Sequence, residues 1–158
     1  MYIRALLIKA RLIALNGHAQ FKKGEQMIAN LQDALSYVRQ ALDIISKPEN
    51  KSKYAFLIYN SSLCVYNIIR SMIKRDWVKN FVEFAEKIDK LFDEVEEPDF
   101  NWRCRYSWLL FHCLYDAERK ADAIKVLDKL WETTKKRGSC NFQDHLFRLR
   151  IHLGKENA

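Results

Sequence analysis

GEQMIANLQDALSYVRQALDIIS, Gly24 to Ser46, is the stretch that decides the fold. Met27, Ile28, Leu31, Ala34, Leu35, Val38, Ala41, Leu42 and Ile45 recur at spacings of three and four, while Glu25, Gln32, Asp33, Arg39, Gln40 and Asp43 fall on the opposite side. That periodicity belongs to a helix with one buried stripe and one wet face. Pro48 and Asn50 are expected to stop it, because proline lacks the amide donor and restricts the residue before it.

Moving outward, the same logic gives helices on both sides. Toward the N-terminus, Ile3, Leu6, Leu7, Ala10, Ile13 and Ala14 make one stripe and Ile8, Leu12 and Leu15 add a second, so this helix reads as buried from two sides and is expected to end at Asn16-Gly17. Toward the C-terminus, a third helix from Lys53 to about Ile73 also carries apolar groups on two sides, with Leu57, Ile58 and Val65 on one and Phe56, Tyr59 and Tyr66 on another. A fourth, capped by Asp76 and starting at Trp77, is one-sided through Phe81, Phe84, Ala85, Ile88, Leu91, Phe92 and Val95.

A fifth helix, capped by Asn101, holds Trp102, Tyr106, Leu109, Leu110, Cys113, Leu114 and Ala117, with Trp108 and Phe111 pointing elsewhere. A sixth follows Arg119-Lys120 and carries Ala123, Ile124, Leu127, Leu130 and Trp131. Odd helices that are apolar on two sides alternate with even helices that keep a polar face. An α-solenoid distributes burial in this way.

The expected fold is therefore all-α, an α-solenoid of antiparallel helix pairs forming a single repeat domain over residues 1–158. The pairs fall at about 2–46, 53–95 and 102–136, followed by a terminal helix at about 141–153. A stack that ends on an inner-type helix is expected to continue into more protein beyond Ala158.

Composition agrees with this reading. At 158 residues the chain suits one domain, and 49% hydrophobic with 30% charged residues is too apolar for disorder and too charged for a membrane protein. Only four Gly and two Pro interrupt it, and no strand-like run appears. The longest apolar stretch, Tyr54 to Ile73, contains Asn60, Ser61, Ser62, Asn67 and Arg70, so no membrane span is expected. Arg4, Lys9 and Arg11 interrupt the apolar N-terminal segment, unlike a signal peptide.

Catalytic chemistry finds no footing in these residues, and we expect a non-enzyme without cofactor or metal. His18, His112, His145 and His152 lack ligand spacing with Cys64, Cys104, Cys113 and Cys140, and no C-x-x-C pair occurs, as is usual for thiols in a reducing cytoplasm. Asp93, Glu94, Glu96, Glu97 and Asp99 lack the glycine and ligand pattern of a calcium loop. No glycine-rich phosphate cradle is present.

A net charge of +7 points to acidic partners. The candidate contacts are Lys22 and Lys23, Lys74 and Arg75, Lys135, Lys136 and Arg137, and Arg148 with Arg150, each of which also reads as a solvated helix end. Nucleic acid is not expected, because aromatics are not interleaved with these groups. Cys64 to Phe81 mixes basic and apolar residues as a calmodulin target does, but Asp76 reads as a helix boundary inside it and core is the better account of the same residues.

Asp116 to Leu130, with small Ala123 and later Leu127 and Leu130, resembles the turn and second helix of a tetratricopeptide repeat, but inner helices starting near 54, 102 and 141 are spaced beyond the roughly 34 residues of that repeat. Three pieces, ALSYVRQALDIISK (Ala34 to Lys47), YAFLIYNSS (Tyr54 to Ser62) and WRCRYSWLLFHCLYDAERKADA (Trp102 to Ala123), resemble in order and spacing the N-terminal repeats of the cilia- and flagella-associated protein 46 family. The likeness runs from the start of the chain to about Gly138, covers a small part of that family's long proteins, and consists of packing motifs.

The resemblance implies a structural component of a projection on a central-pair microtubule in the cilium or flagellum axoneme. It also implies large scaffold proteins of that apparatus and calmodulin as partners, and a part in ciliary motility, while the basic groups named above are candidates to meet the acidic tails of tubulin or a neighbouring scaffold. It brings no catalytic residue with it. The alternative is a general cytosolic tetratricopeptide adaptor that binds a peptide or partner protein in a concave groove.

Overall fold

The computed structural model describes residues 2–20, 24–75, 77–96, 98–137, 148, 149 and 151. Every regular element among them is helical: α1 (Tyr2–Gln20), α2 (Glu25–Ile45), α3 (Pro48–Ile69), α4 (Val82–Glu94), α5 (Phe100–Asp116) and α6 (Lys120–Arg137), with 3₁₀ turns at Arg70–Arg75 and Val78–Phe81 between α3 and α4. The chain is all-α, as the periodicity requires. Of the expected terminal helix only Arg148, Leu149 and Ile151 are described; the remainder lies outside the described residues.

The stripe that opened the reading is the best-defined part of the core. Met27, Leu31, Ala34, Leu35, Val38, Ala41, Leu42 and Ile45 are all buried on α2. Its end is closed by Ser46, whose hydroxyl donates to the Leu42 carbonyl at 2.7 Å, and by Asn50, whose side-chain amide donates to the Ile44 carbonyl at 3.0 Å. The Leu42 carbonyl thus accepts the Ser46 hydroxyl beside the Ser46 backbone N–H, and the Ile44 carbonyl, which the helix terminus leaves unpaired, is satisfied by Asn50.

Pro48 does more than stop α2, because it is also the first residue of α3. Proline is well placed there, since its missing amide would have no intrahelical partner and its φ is already helical. The expected start at Lys53 is therefore corrected to Pro48, with a kink at Tyr54 (φ −117°, ψ 16°) where the expected boundary falls. At the other end α3 tightens into the 3₁₀ turn at Arg70–Arg75 instead of running to Ile73. The expected cap Asp76 lies outside the described residues, and Trp77 precedes a second 3₁₀ turn, with α4 opening at Val82.

α5 starts two residues earlier than expected. Asp99, not Asn101, is the N-cap, and its carboxylate accepts from the Trp102 backbone N–H at 2.9 Å. At the far end, Glu118 adopts φ +60° and the Arg119 amide donates to the Leu114 carbonyl at 2.9 Å, a left-handed closure usually given to glycine.

The expected helix end at Asn16-Gly17 is also corrected, since α1 continues to Gln20. Gly17 is buried inside it for a packing reason: a Cβ there would stand 1.8 Å from Asn30 Oδ1 and 2.5 Å from Asn30 Cγ on α2. Gly17→Ala is therefore expected to destabilise by about 1 kcal/mol or more through overpacking. In an Asn30→Ala background the cost should shrink, because the Oδ1 and Cγ clashes are gone, only the 3.3 Å approach of the residue-30 Cβ remains, and the helix-propensity gain of about 1 kcal/mol opposes it. Urea titration of the four proteins checks the coupling.

One continuous core joins all six helices. Within it α1 touches α3 and α3 touches α5, in addition to the contacts between consecutive helices. The Cys64 thiol of α3 donates to the Leu7 carbonyl of α1 at 3.8 Å, and the Trp102 indole N–H of α5 donates to the Ser62 hydroxyl of α3 at 2.7 Å. Across the even helices the links are ionic: Arg39–Glu83 (3.1 Å) and Lys87–Asp43 (2.6 Å) join α2 to α4, and Lys129–Asp89 (3.7 Å) joins α6 to α4. Leu149 packs against the same core.

The expected burial of odd helices on two sides holds for α5 and fails for α1. On α5, Cys104 and Phe111 are buried along with Tyr106, Leu109, Leu110 and Cys113. On α1, Ile8, Leu12 and Leu15 are 59%, 55% and 62% exposed. Phe56 on α3 is likewise open, and Tyr59, Tyr66 and Trp108 are half-buried. The reason is geometric: α1 meets α2 and α3 with the arc that holds Ile3, Leu7, Ala10 and Ala14, and its second stripe lies outside that arc, with Ile8 and Leu15 at the open margin toward α3.

Candidate functional site

The basic residues singled out in the sequence lie on separate elements. Lys22, Lys23 and Arg150 lie outside the described residues. Lys74 and Arg75 belong to the 3₁₀ turn after α3, and Lys136 and Arg137 to the last turn of α6, with their side chains outside the description. Lys135 is exposed, 3.9 Å from Glu132, with its ammonium 5.3 Å from the Trp131 ring centroid. Arg148 is exposed.

What periodicity could not show is a furrow between α1 and α3. It is a run of three adjoining depressions of about 400, 370 and 430 Å³. The first lies between Tyr2, Arg4, Tyr54 and Phe56. The middle one shares Arg4 and Leu57 with it, and the third shares Arg11, Cys64 and Asn67 with the middle one and ends at Leu15 and Arg70. No carboxylate lines any of the three among the described residues. Arg4, Ile8, Arg11 and Leu15 fall at intervals of four, three and four residues, which places them on one face of α1, but that spacing does not reveal that the face borders a furrow.

The other charged surface belongs to α4 and its neighbours, and it is internally neutralised. Asp93 accepts from both Arg103 and Lys129, and Arg119 reaches Glu86 and Asp122, each at 2.8 Å. Asp89 is the exception in energy. Burial pushes its carboxyl above the ordinary 3.8, against relief from Lys129 and from the Ser107 hydroxyl, which donates to it at 3.3 Å. An acid whose folded pKa is raised favours the folded state below its unfolded pKa and loses that contribution as pH rises through the folded value. The stability of Asp89→Asn relative to the parent is therefore expected to increase between pH 4 and pH 7, read from urea midpoints across that range.

The thiols are core groups. Burial pushes Cys64 up to about 11 and Cys113 up to about 12, so neither supplies a thiolate at neutral pH; Cys104 is buried as well. Cys140, His145 and His152 lie outside the described residues, as does the His18 side chain, and His112 stands edge-on to Trp108 at 5.1 Å. Among the described residues no group of three or more His, Cys, Asp or Glu is placed to hold a metal ion. In the acidic stretch Asp93 is engaged by Arg103 and Asp99 caps α5.

The stretch from Cys64 to Phe81 is not an available amphipathic helix. Cys64, Val65, Ile69, Met72, Val78 and Phe81 are all buried in the chain's own core, and the backbone passes through two 3₁₀ turns. Among the described residues no helix is long and apolar enough to cross a membrane. A comparison with protein-family models finds none that matches the chain.

Proposed function

We propose that this chain is a non-enzymatic scaffold segment of a ciliary or flagellar central-apparatus projection, built as an α-solenoid of antiparallel helix pairs. The observation that carries the architecture is the order of contacts: α1 to α3 to α5 along one row, and α2 to α4 to α6 along another through ion pairs. Connections as short as Ser46-Lys47 and 117–119 support reversal of direction between consecutive helices. A stack of this kind offers long surfaces to neighbours rather than an enclosed reaction site.

The ciliary assignment draws on the three segments that resemble the cilia- and flagella-associated protein 46 repeats. Under it the partners are large central-apparatus scaffolds, with calmodulin and tubulin in the same assembly. Expressed with a tag in a flagellated cell, the chain should co-sediment with detergent-extracted axonemes and localise to the central pair. Its appearance only in nucleus, membranes or soluble cytosol would overturn the reading.

The α1–α3 furrow favours a second reading, a cytosolic tetratricopeptide-type adaptor with a peptide-binding groove. That reading predicts full release of the chain by detergent and no retention on the axoneme.

A further inference from the structure

We propose that the furrow between α1 and α3 is a docking site for an acidic amphipathic helix supplied by another protein. The inference goes beyond the scaffold reading, since it concerns one face and the chemistry of what lies in it.

The furrow pairs an apolar floor with a cationic rim. Leu7, Leu57, Cys64 and Ile68 form the floor, and Ile8 and Leu15 stand beside it, 59% and 62% exposed. The two stand two turns apart on α1, one beside the middle depression and one beside the third, and so add open aliphatic surface along the length of the floor. Along the rim run Arg4, Arg11 and Arg70, none with a carboxylate partner among the described residues. The chain's other described arginines at helix contacts, Arg39, Arg103 and Arg119, all meet an Asp or Glu. Three guanidiniums left over on one furrow, with no acid lining it, are complementary to carboxylates.

Spacing points to a helix as the occupant. Arg4 and Arg11 are seven residues apart on α1, as are Asn60 and Asn67 on α3, so each pair repeats every ~10.5 Å along its axis. A third helix lying in the furrow repeats its own carboxylates at the same interval, and its aliphatic stripe meets the floor. From Tyr2 to Leu15 the furrow runs ~20 Å, room for a helix of about 13 residues.

A second copy of this chain fits poorly. Pairing the same face of two copies about a two-fold axis sets Arg4 and Arg11 against their own counterparts, and the chain carries a net charge of +7.

The test uses an 18-residue fluorescent peptide with leucine at heptad a and d positions and glutamate at e and g, and a twin with lysine in place of glutamate. Anisotropy titration of the full chain should show saturable one-to-one binding of the acidic peptide and at least tenfold weaker binding of the basic one. Arg4→Glu with Arg11→Glu should weaken the acidic peptide at least tenfold at unchanged circular dichroism, since both residues are exposed and neither meets a carboxylate among the described residues. Ile8→Asn should weaken it without altering its salt dependence. Equal binding of both peptides, undiminished binding to the double variant, concentration-dependent dimerisation that the double variant abolishes, or binding of anionic vesicles with none of the peptide would each overturn the proposal. Failure here leaves axonemal retention, the test of the scaffold reading, untouched.

Discussion

Trp102→Ala is expected to lower the unfolding free energy by about 3–5 kcal/mol, the range for removing a large buried aromatic. Trp102 is only 8% exposed and sits where α5 meets α3. Its ring lies edge-on to Tyr66 at 5.1 Å and tilted against Tyr59 at 5.8 Å, and its indole N–H donates to Ser62. Truncation therefore removes the volume, two aromatic contacts and a buried hydrogen bond between these helices at a stroke. The Ser62 hydroxyl still donates to the Tyr59 carbonyl at 2.6 Å, so it is not orphaned, and the cost is chiefly that of the cavity. Trp102→Phe keeps part of the ring and forfeits the hydrogen bond, for a smaller loss of about 1–2 kcal/mol. Urea denaturation followed by far-ultraviolet circular dichroism checks both. A loss below about 1 kcal/mol for the alanine variant would mean that α3 and α5 are not held together here.

The position of Trp102 also shows what could be read in advance. Its apolar register on α5 followed from spacing, as did the whole buried stripe of α2 and the buried Ala85, Ile88, Leu91 and Phe92 of α4. Periodicity reports which residues share a face, and a single burying face is then enough to place them. Its partner Ser62 was not legible, because the pairing joins residues forty apart and depends on how two helices cross. Boundaries slipped for local reasons. Asp99 outcompeted Asn101 as a cap, Pro48 served a start as well as a stop, and Gly17 answered to Asn30 on another helix rather than to its own helix end. Periodicity misled most on α1, where a second apolar stripe was taken for a second buried side. An apolar face states an appetite for contact but not whether this chain itself satisfies it. The same ambiguity hid the furrow, whose rim arginines look in sequence like ordinary solvated charges.

Phe92→Ala is the second large loss expected, again about 3–5 kcal/mol. Phe92 is fully buried on α4, and Tyr106 of α5 stands edge-on to it, with centroids 5.4 Å apart and planes at 89°. This geometry sets the ring edge of one against the ring face of the other, and such pairs add roughly 0.5–1.5 kcal/mol to simple burial. Tyr106 itself separates the two contributions that a buried tyrosine makes. Its ring is as buried as that of Phe92, but its hydroxyl has no hydrogen-bond partner among the described residues. Tyr106→Phe should therefore cost nothing and stabilise by up to about 1 kcal/mol, because a desolvated hydroxyl is removed while the ring contact stays. The alkaline limb supplies an independent check. Burial pushes the Tyr106 phenol well above its ordinary 10.0, so above that pH the unfolded chain releases a proton that the folded chain keeps. Stability present below the unfolded pKa is then lost as pH rises, and the parent should lose it more steeply than Tyr106→Phe between pH 10 and pH 11. A phenylalanine variant less stable than the parent at pH 7 would show that the hydroxyl is hydrogen-bonded after all, so that the α4–α5 junction rests on a polar contact as well as on two rings, and parallel alkaline limbs would show that the phenol is not desolvated.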